Sequence, residues 1–222
     1  MGLASAFRAR FLDVLASLYI YNEHRGYTSL DRVLEAVRAR CPTDARFIAE
    51  VEKHRADEYK HYRMFRRWFE LQGRMPQKVD RTCGHIDHFI ERVFRCTIDE
   101  LDTGKIVASG DAFEKLCRVI MITERRGMAQ VEILLKNPHI RSDRAMTRIF
   151  EVVERDEPDH WMPYDRWLRA HGRRPQPRWR ELWTDFWIHK SLMLVKLPTV
   201  FLNRRAPRLT AWPDEDRAAY AS

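Results

Sequence analysis

Two sets of residues in this chain have the types and the spacing to hold metal. The first is Glu23 followed by Glu58-Tyr59-Lys60-His61, and the second is Glu124 followed by Glu157-Pro158-Asp159-His160. Glu58 follows Glu23 by 35 residues and Glu157 follows Glu124 by 33, a step that suits two antiparallel helices joined by a short turn. A Glu and a His three apart on a helix point to the same side. Each half therefore brings two carboxylates and one imidazole to one level of a helix pair. Carboxylates are hard, anionic ligands suited to iron and manganese, and imidazole adds a neutral donor. Two such halves facing each other supply four carboxylates and two imidazoles, the ligand set of a carboxylate-bridged di-iron centre. The chemistry of such a centre is activation of oxygen or peroxide.

The elements that must position these residues are helices. Phe11, Leu15, Leu18, Tyr19, Glu23, Tyr27, Leu30 and Leu34 recur at helical spacing. Cys41-Pro42-Thr43-Asp44 is a turn and a helix start. The next face is Ile48, Val51, His54, Glu58, His61, Phe65 and Trp68, ended by Gly73 and Pro76. Residues 81–101 form a helical connection that crosses over, and residues 102–110 are a break. Phe113, Leu116, Cys117, Ile120, Glu124, Met128, Val131 and Leu135 make the third face, stopped by Lys136-Asn137-Pro138. Ile149, Phe150, Val153, Glu157, His160, Trp161, Tyr164 and Leu168 make the fourth. Every candidate ligand lies in an apolar stripe. Burying four unrelated carboxylates costs several kcal/mol per unpaired ion, so a bound cation explains the pattern better than chance. A lone Glu-x-x-His is weak evidence; the force comes from two, each preceded at nearly equal distance by a Glu on an apolar face.

On these six positions the chain resembles the ferritin-like di-iron carboxylate superfamily over roughly residues 8–171. The resemblance implies an all-α, ferritin-like four-helix bundle with a crossover helix and a C-terminal helical extension. By it, Glu58 and Glu157 would bridge the two metals, Glu23 and Glu124 would each be a terminal ligand, and His61 and His160 would each complete one metal. The cofactor it implies is two Fe ions, with Mn/Fe or Mn/Mn as alternatives, served by an external electron donor such as a ferredoxin. The chain departs from an uninterrupted helix at Pro158 and Pro163. Proline removes a helix hydrogen bond and clashes with the preceding turn, so the fourth helix is expected to kink or loosen, or to restart at Glu157.

Residues near the ligands are read more plainly. His54, one turn before Glu58, is taken as a core histidine ahead of a supporting role. Tyr19 and Tyr62 are hydrogen-bond donors or relays, or simply packing. Asp57 and Asp159 neighbour ligands in sequence and are expected to point elsewhere. Cys117, seven residues before Glu124, is expected on the same helix face. His85 and His88 have metal-like spacing without matched carboxylates and are read as surface residues.

The 222-residue chain is 45% hydrophobic, enough for one well-cored domain. The expected division is a di-metal bundle over 1–172 and a basic, tryptophan-rich extension over 173–222. No apolar run is long enough for a transmembrane helix, and no secretory cleavage pattern opens the chain. Cys41, Cys83, Cys96 and Cys117 form no CxxC pair, which fits reduced thiols and a cytoplasmic protein. In the extension, tryptophans, short apolar runs and Arg204-Arg205 are what an interfacial membrane segment contains. The same features suit a fifth helix covering the bundle or a second subunit. From about Trp212 onward a polar tail is expected.

The leading expectation for function is a non-haem di-iron oxygenase or oxidase that uses O2 to hydroxylate or oxidise a hydrophobic, lipid-like substrate. Superfamily members of similar size include long-chain aldehyde oxygenases and hydroxylases of modified tRNA bases, and only the ligand pattern is shared with either. The alternatives are a ferroxidase or peroxidase of rubrerythrin type, a tRNA-base hydroxylase, and a non-catalytic membrane-associated bundle. The expected partners are a hydrophobic small molecule, an electron-transfer protein, an anionic membrane surface and a second copy in a homodimer. The net charge of +8 would suit an anionic lipid or RNA, with nucleic acid the less favoured.

Overall fold

The computed structural model describes residues 2–215 and residue 220. It is an all-α bundle, and the described residues contain no strand beyond one isolated bridge. Four long helices carry it: α1 (Leu3–Arg40), α2 (Ala45–Leu71), α5 (Gly110–Leu135) and α7 (Arg144–Ala170). The connection between the two pairs holds α3 (His85–Phe94) and α4 (Thr103–Ala108), and a single turn, α6 (Pro138–Arg141), precedes α7. A C-terminal arm adds α8 (Trp179–Ser191), a π-helical turn over 192–196, and α9 (Leu197–Leu202).

Local signals set the helix ends. Asp44 caps α2 by accepting from the Phe47 N–H, and Asp143 caps α7 by accepting from the Met146 N–H. Both helices end the same way, in a glycine at positive φ, Gly73 at 63° and Gly172 at 64°. In each, the glycine N–H and the next N–H turn back onto the helix: Gly73 to Glu70 and Arg74 to Phe69, Gly172 to Arg169 and Arg173 to Leu168.

Each pair is an antiparallel hairpin, because partners run in opposite numerical order. Arg38 pairs with Glu52, Asp31 with Arg55 and Glu23 with His61 across α1–α2. Between the hairpins, α2 and α7 also run antiparallel: Glu50 meets Arg166, His54 meets Tyr164, and His61 meets Asp156. Two apolar clusters fill the bundle. One gathers Val37, Val51, Phe113, Ile120 and Tyr164, and the other Ile20, Phe65, Phe69, Phe150 and Val153.

Three expectations about secondary structure are corrected. Pro158 and Pro163 do not interrupt α7, so Glu157 begins no new segment. The apolar face of α7, from Ile149 to Leu168, is buried along the neighbouring helices, and that packing outweighs a lost backbone hydrogen bond and the proline ring clash, about 3 kcal/mol. The connection over 81–101 is shorter helix than expected, since α3 stops at Arg95, which adopts a left-handed φ of 62°. The expected break over 102–110 is mostly α4: Asp102 caps it by accepting from the Lys105 N–H, and only Ser109 interrupts the chain before α5. The polar tail expected from about Trp212 lies outside the described residues at 216–219 and 221–222, and the segment leading to it is held to the bundle as far as Glu215. Leu209 N–H donates to the Pro76 carbonyl, Arg208 grips the buried Asp13, and Arg66 holds Asp214 and Glu215 while its guanidinium covers the Trp212 ring at 4.8 Å.

Candidate metal centre

The six expected ligands come from the four long helices. Glu23 is on α1, Glu58 and His61 on α2, Glu124 on α5, Glu157 and His160 on α7. Five of them, together with His54, fall into two groups that could each hold an ion. Glu23, Glu58 and His61 form one, and His54, Glu58, Glu124 and His160 form the other, with the chosen atoms of each group within 4.8 Å of one another. Glu58 belongs to both, the position of a bridging carboxylate. Glu157 lies outside both groups, although its Oε2 is 3.8 Å from His160 Nδ1.

The histidines are oriented from behind. The His61 Nε2–H donates to Asp156 Oδ2 on α7 at 3.1 Å, and its Nδ1 faces Glu23 Oε2 at 3.4 Å. His160 repeats this from the other side. Its Nε2 faces Asp57 Oδ2 on α2 at 3.8 Å, and its Nδ1 faces Glu58 Oε1 at 3.2 Å. Each aspartate immediately precedes the carboxylate of its own helix and serves the histidine of the opposite one. A carboxylate behind an imidazole fixes ring orientation and raises its basicity as a metal ligand. Asp57 is half ringed by cations, accepting from Lys53 and Lys60, and these with His160 hold its carboxyl well below the usual range despite burial. Asp159 points outward to Lys53, as expected of it. Asp57 does not.

His54 is not a bystander in the core. Its ring stacks on His160 at 4.2 Å, its Nε2 lies 3.6 Å from Glu124 Oε1, and its Nδ1 is 3.4 Å from the Tyr164 hydroxyl. Burial, reinforced by the neighbouring His160, holds His54 neutral, the form in which imidazole binds metal. The second half has Val153 at the corresponding position, so the two halves are unequal: one group has a single imidazole, the other two.

Two glycines make room for the carboxylates. A Cβ on Gly26, one turn beyond Glu23, would overlap Glu58 Oε2. A Cβ on Gly127, one turn beyond Glu124, would stand 3.2 Å from Glu157 Oε1. The internal duplication thus extends past the ligands to Gly26 and Gly127, to the capping Asp44 and Asp143, and to the helix-ending Gly73 and Gly172.

The electrostatics call for cations. Burial and the neighbouring Glu58 push the Glu23 carboxyl up to about 7. Burial pushes Glu157 up to about 8 against the nearby His160 and His61, with Glu58 and Glu23 adding to the rise, and Glu124 is raised as well. Four buried polar atoms that face the cluster have no hydrogen-bond partner: His54 Nε2, His61 Nδ1, His160 Nδ1 and Glu157 Oε2. Buried donors and acceptors are ordinarily satisfied, and a metal ion satisfies imidazole nitrogens and carboxylate oxygens together. The donor set therefore fits a pair of iron or manganese ions.

The other near-site residues separate clearly. Tyr19 is half-buried with a buried, unpartnered hydroxyl, and Glu23 and Glu157 add to burial in raising its phenol far above the ordinary value. Tyr62 turns away and donates to Asp214 at 2.6 Å. Cys117 is packed in the apolar core and belongs to neither group. His85 is buried, not on the surface, and pairs with Asp185 at 3.0 Å, while His88 bonds the Thr82 carbonyl. Two pockets, of about 350 and 460 Å³, open on the bundle, one beside Arg40, Thr43 and Trp167 and the other beside Lys136 and Glu151. Neither is lined by a candidate ligand.

No protein-family model matches the chain, and neither a curated protein nor a solved structure does.

Proposed function

We propose that the chain is an oxidoreductase built on a carboxylate-bridged pair of iron ions, an oxygenase or oxidase that uses O2 to oxidise a hydrophobic organic substrate. The observation that carries the reading is the convergence of Glu23, Glu58, His61, Glu124, His160 and His54 in one cluster where His54 Nε2, His61 Nδ1 and His160 Nδ1 lack hydrogen-bond partners. Glu58 would be shared by both metals, with Glu23 and His61 on one and Glu124, His160 and His54 on the other. Glu157 would join through its unpartnered Oε2. Manganese would be held by the same donors. When bound, such a pair supplies two redox-active ions able to bind and reduce O2.

The residues around it have definable tasks. Asp156 keeps the proton of His61 on Nε2 and so leaves Nδ1 free, and Asp57 is placed to do the same for His160. The two apolar clusters that bracket the site exclude water and favour an apolar substrate. Tyr19, its hydroxyl buried beside Glu23 and Glu157, keeps its proton and can donate it as a hydrogen bond toward them. The four cysteines are dispersed and unpaired and build no iron–sulfur relay, so reducing electrons would come from a separate donor such as a ferredoxin.

The test is oxygen uptake by protein loaded anaerobically with ferrous iron, with Glu58→Gln as the comparison. Rapid uptake by the wild type, lost in the variant, is the expected result. Uptake no faster than that of free ferrous iron contradicts an O2-activating centre.

A further inference from the structure

Helix α8 is inside out. Its inward face is charged: Glu181 accepts from the Arg118 guanidinium at 3.0 and 3.1 Å, and Asp185 pairs with Arg126 and His85. All of these pairs tie α8 to α3 and α5. Its outward face is aromatic. Trp179, Leu182, Trp183, Phe186 and Trp187 follow one another at helical spacing and are 70, 50, 57, 42 and 50% exposed. A surface helix ordinarily shows the opposite arrangement.

The exposed face is organised. Trp183 stacks on Phe186 at 5.9 Å, and Trp187 stands edge-on to both, at 5.7 and 5.5 Å. The patch continues through the π-helical turn, where Leu194 is 70% exposed. Nine of the thirteen large hydrophobic residues exposed among the described residues fall between 179 and 202, which makes this one contiguous surface rather than scattered side chains.

Charge selects the occupant. Between residues 173 and 205 the only acids are Glu181 and Asp185, and both are buried against the bundle. Arg174, Arg180, Lys190, Arg204 and Arg205 are all exposed around the patch. The outward face therefore carries aromatic rings and positive charge and no negative charge. A second copy docked face to face would set cation against cation. An anionic bilayer surface meets both halves of the pattern, taking tryptophan rings at the headgroup level and pairing lysine and arginine with lipid phosphates. Among the described residues no helix is long and apolar enough to cross a membrane, so the attachment is to one face.

We propose that the outer face of α8 and the turn after it form a docking surface for an anionic phospholipid bilayer. The proposal is independent of the metal reading. The test is flotation of the full chain with vesicles of phosphatidylcholine alone and with about 30% phosphatidylglycerol, with tryptophan quenching by brominated acyl chains. The expected result is binding at least about tenfold tighter to the anionic vesicles, with quenching of the exposed indoles. Trp183→Ala with Trp187→Ala should weaken binding about tenfold or more and leave helicity unchanged, since the anchoring Glu181, Asp185 and Ile188 are untouched. Arg204→Glu with Arg205→Glu should abolish the preference for anionic lipid. Three outcomes would overturn the proposal. One is no flotation with either vesicle. The second is flotation that the double tryptophan variant leaves unchanged, which would mean adsorption by the net charge elsewhere. The third is a concentration-dependent dimer that the tryptophan variant dissolves, which would make the occupant a second copy.

Discussion

Asp156 on α7 accepts the Nε2–H of His61 on α2 at 3.1 Å, so the residue next to Glu157 in one half orients the other half's imidazole. This exchange couples the two halves of the site. Asp156→Asn keeps the shape and removes the charge. It is expected to weaken Mn(II) binding about 10- to 100-fold without loss of helicity, measured by titration followed by electron paramagnetic resonance. Unchanged affinity would mean that His61 is oriented by packing alone.

Gly26 and Gly127 differ in the space behind them. Gly26→Ala would drive a methyl into the Glu58 carboxylate that belongs to both ligand groups, whereas Gly127→Ala would only press on Glu157. Overpacking of this kind costs about 1–3 kcal/mol. The Gly26 variant is expected to bind markedly less metal per chain and the Gly127 variant to stay near wild type, as read by elemental analysis of the purified proteins. Equal metal content in the two would contradict the assigned role of Glu58.

Proton and metal compete for the cluster. Glu23 titrates at about 7 and Glu157 at about 8, both raised first by burial, and His61 is held up at about 9 by Asp156 and Glu23 against the effect of burial. At pH 6 these groups hold protons that a metal must displace; by pH 9 the two carboxyls have largely released theirs and His61 is about half deprotonated. Affinity for Mn(II) should therefore rise with pH across this window, by roughly tenfold per pH unit for each proton displaced. Calorimetry in buffers of different ionisation enthalpy should record the released protons. Affinity that is flat between pH 6 and 9 would contradict a metal in this cluster.

The helices and the ligand stripe were legible in the sequence because both follow the 3.6-residue period: Glu23, Glu58, Glu124 and Glu157 stand where apolar residues should. Asp57 and Asp156 were not, because a residue adjacent to a ligand turns about 100° away from it, and only the tertiary arrangement shows that this direction leads to the next helix. A signal was present nonetheless. Both halves read Asp-Glu-x-x-His, and both continue through Arg-Trp, at Arg67-Trp68 and Arg166-Trp167, to Gly-Arg-x-Pro-Gln at Gly73 and Gly172. His54 has no counterpart in the second half, so the duplication gave no hint of it. The unbroken path of α7 through Pro158 and Pro163 was illegible for a different reason, since local propensity yields there to packing.

Arg118 is 2% exposed and is held by Glu181 from α8. Removing one partner of a buried ion pair leaves an uncompensated charge and costs about 3–5 kcal/mol. Glu181→Ala should lower the thermal midpoint by several degrees and expose the α8 arm to limited proteolysis. A variant as stable as wild type, with α8 still protected, would mean that the arm is held chiefly by Ile188 and the Asp185 contacts.

Whether the buried Glu and His cluster binds two metal ions is read from the metal content of protein purified from iron-replete cells. About two iron or manganese atoms per chain are expected, falling sharply in Glu58→Ala. Wild-type protein that is folded yet carries no stoichiometric iron or manganese, and takes up none on anaerobic reconstitution, would contradict metal binding by this cluster.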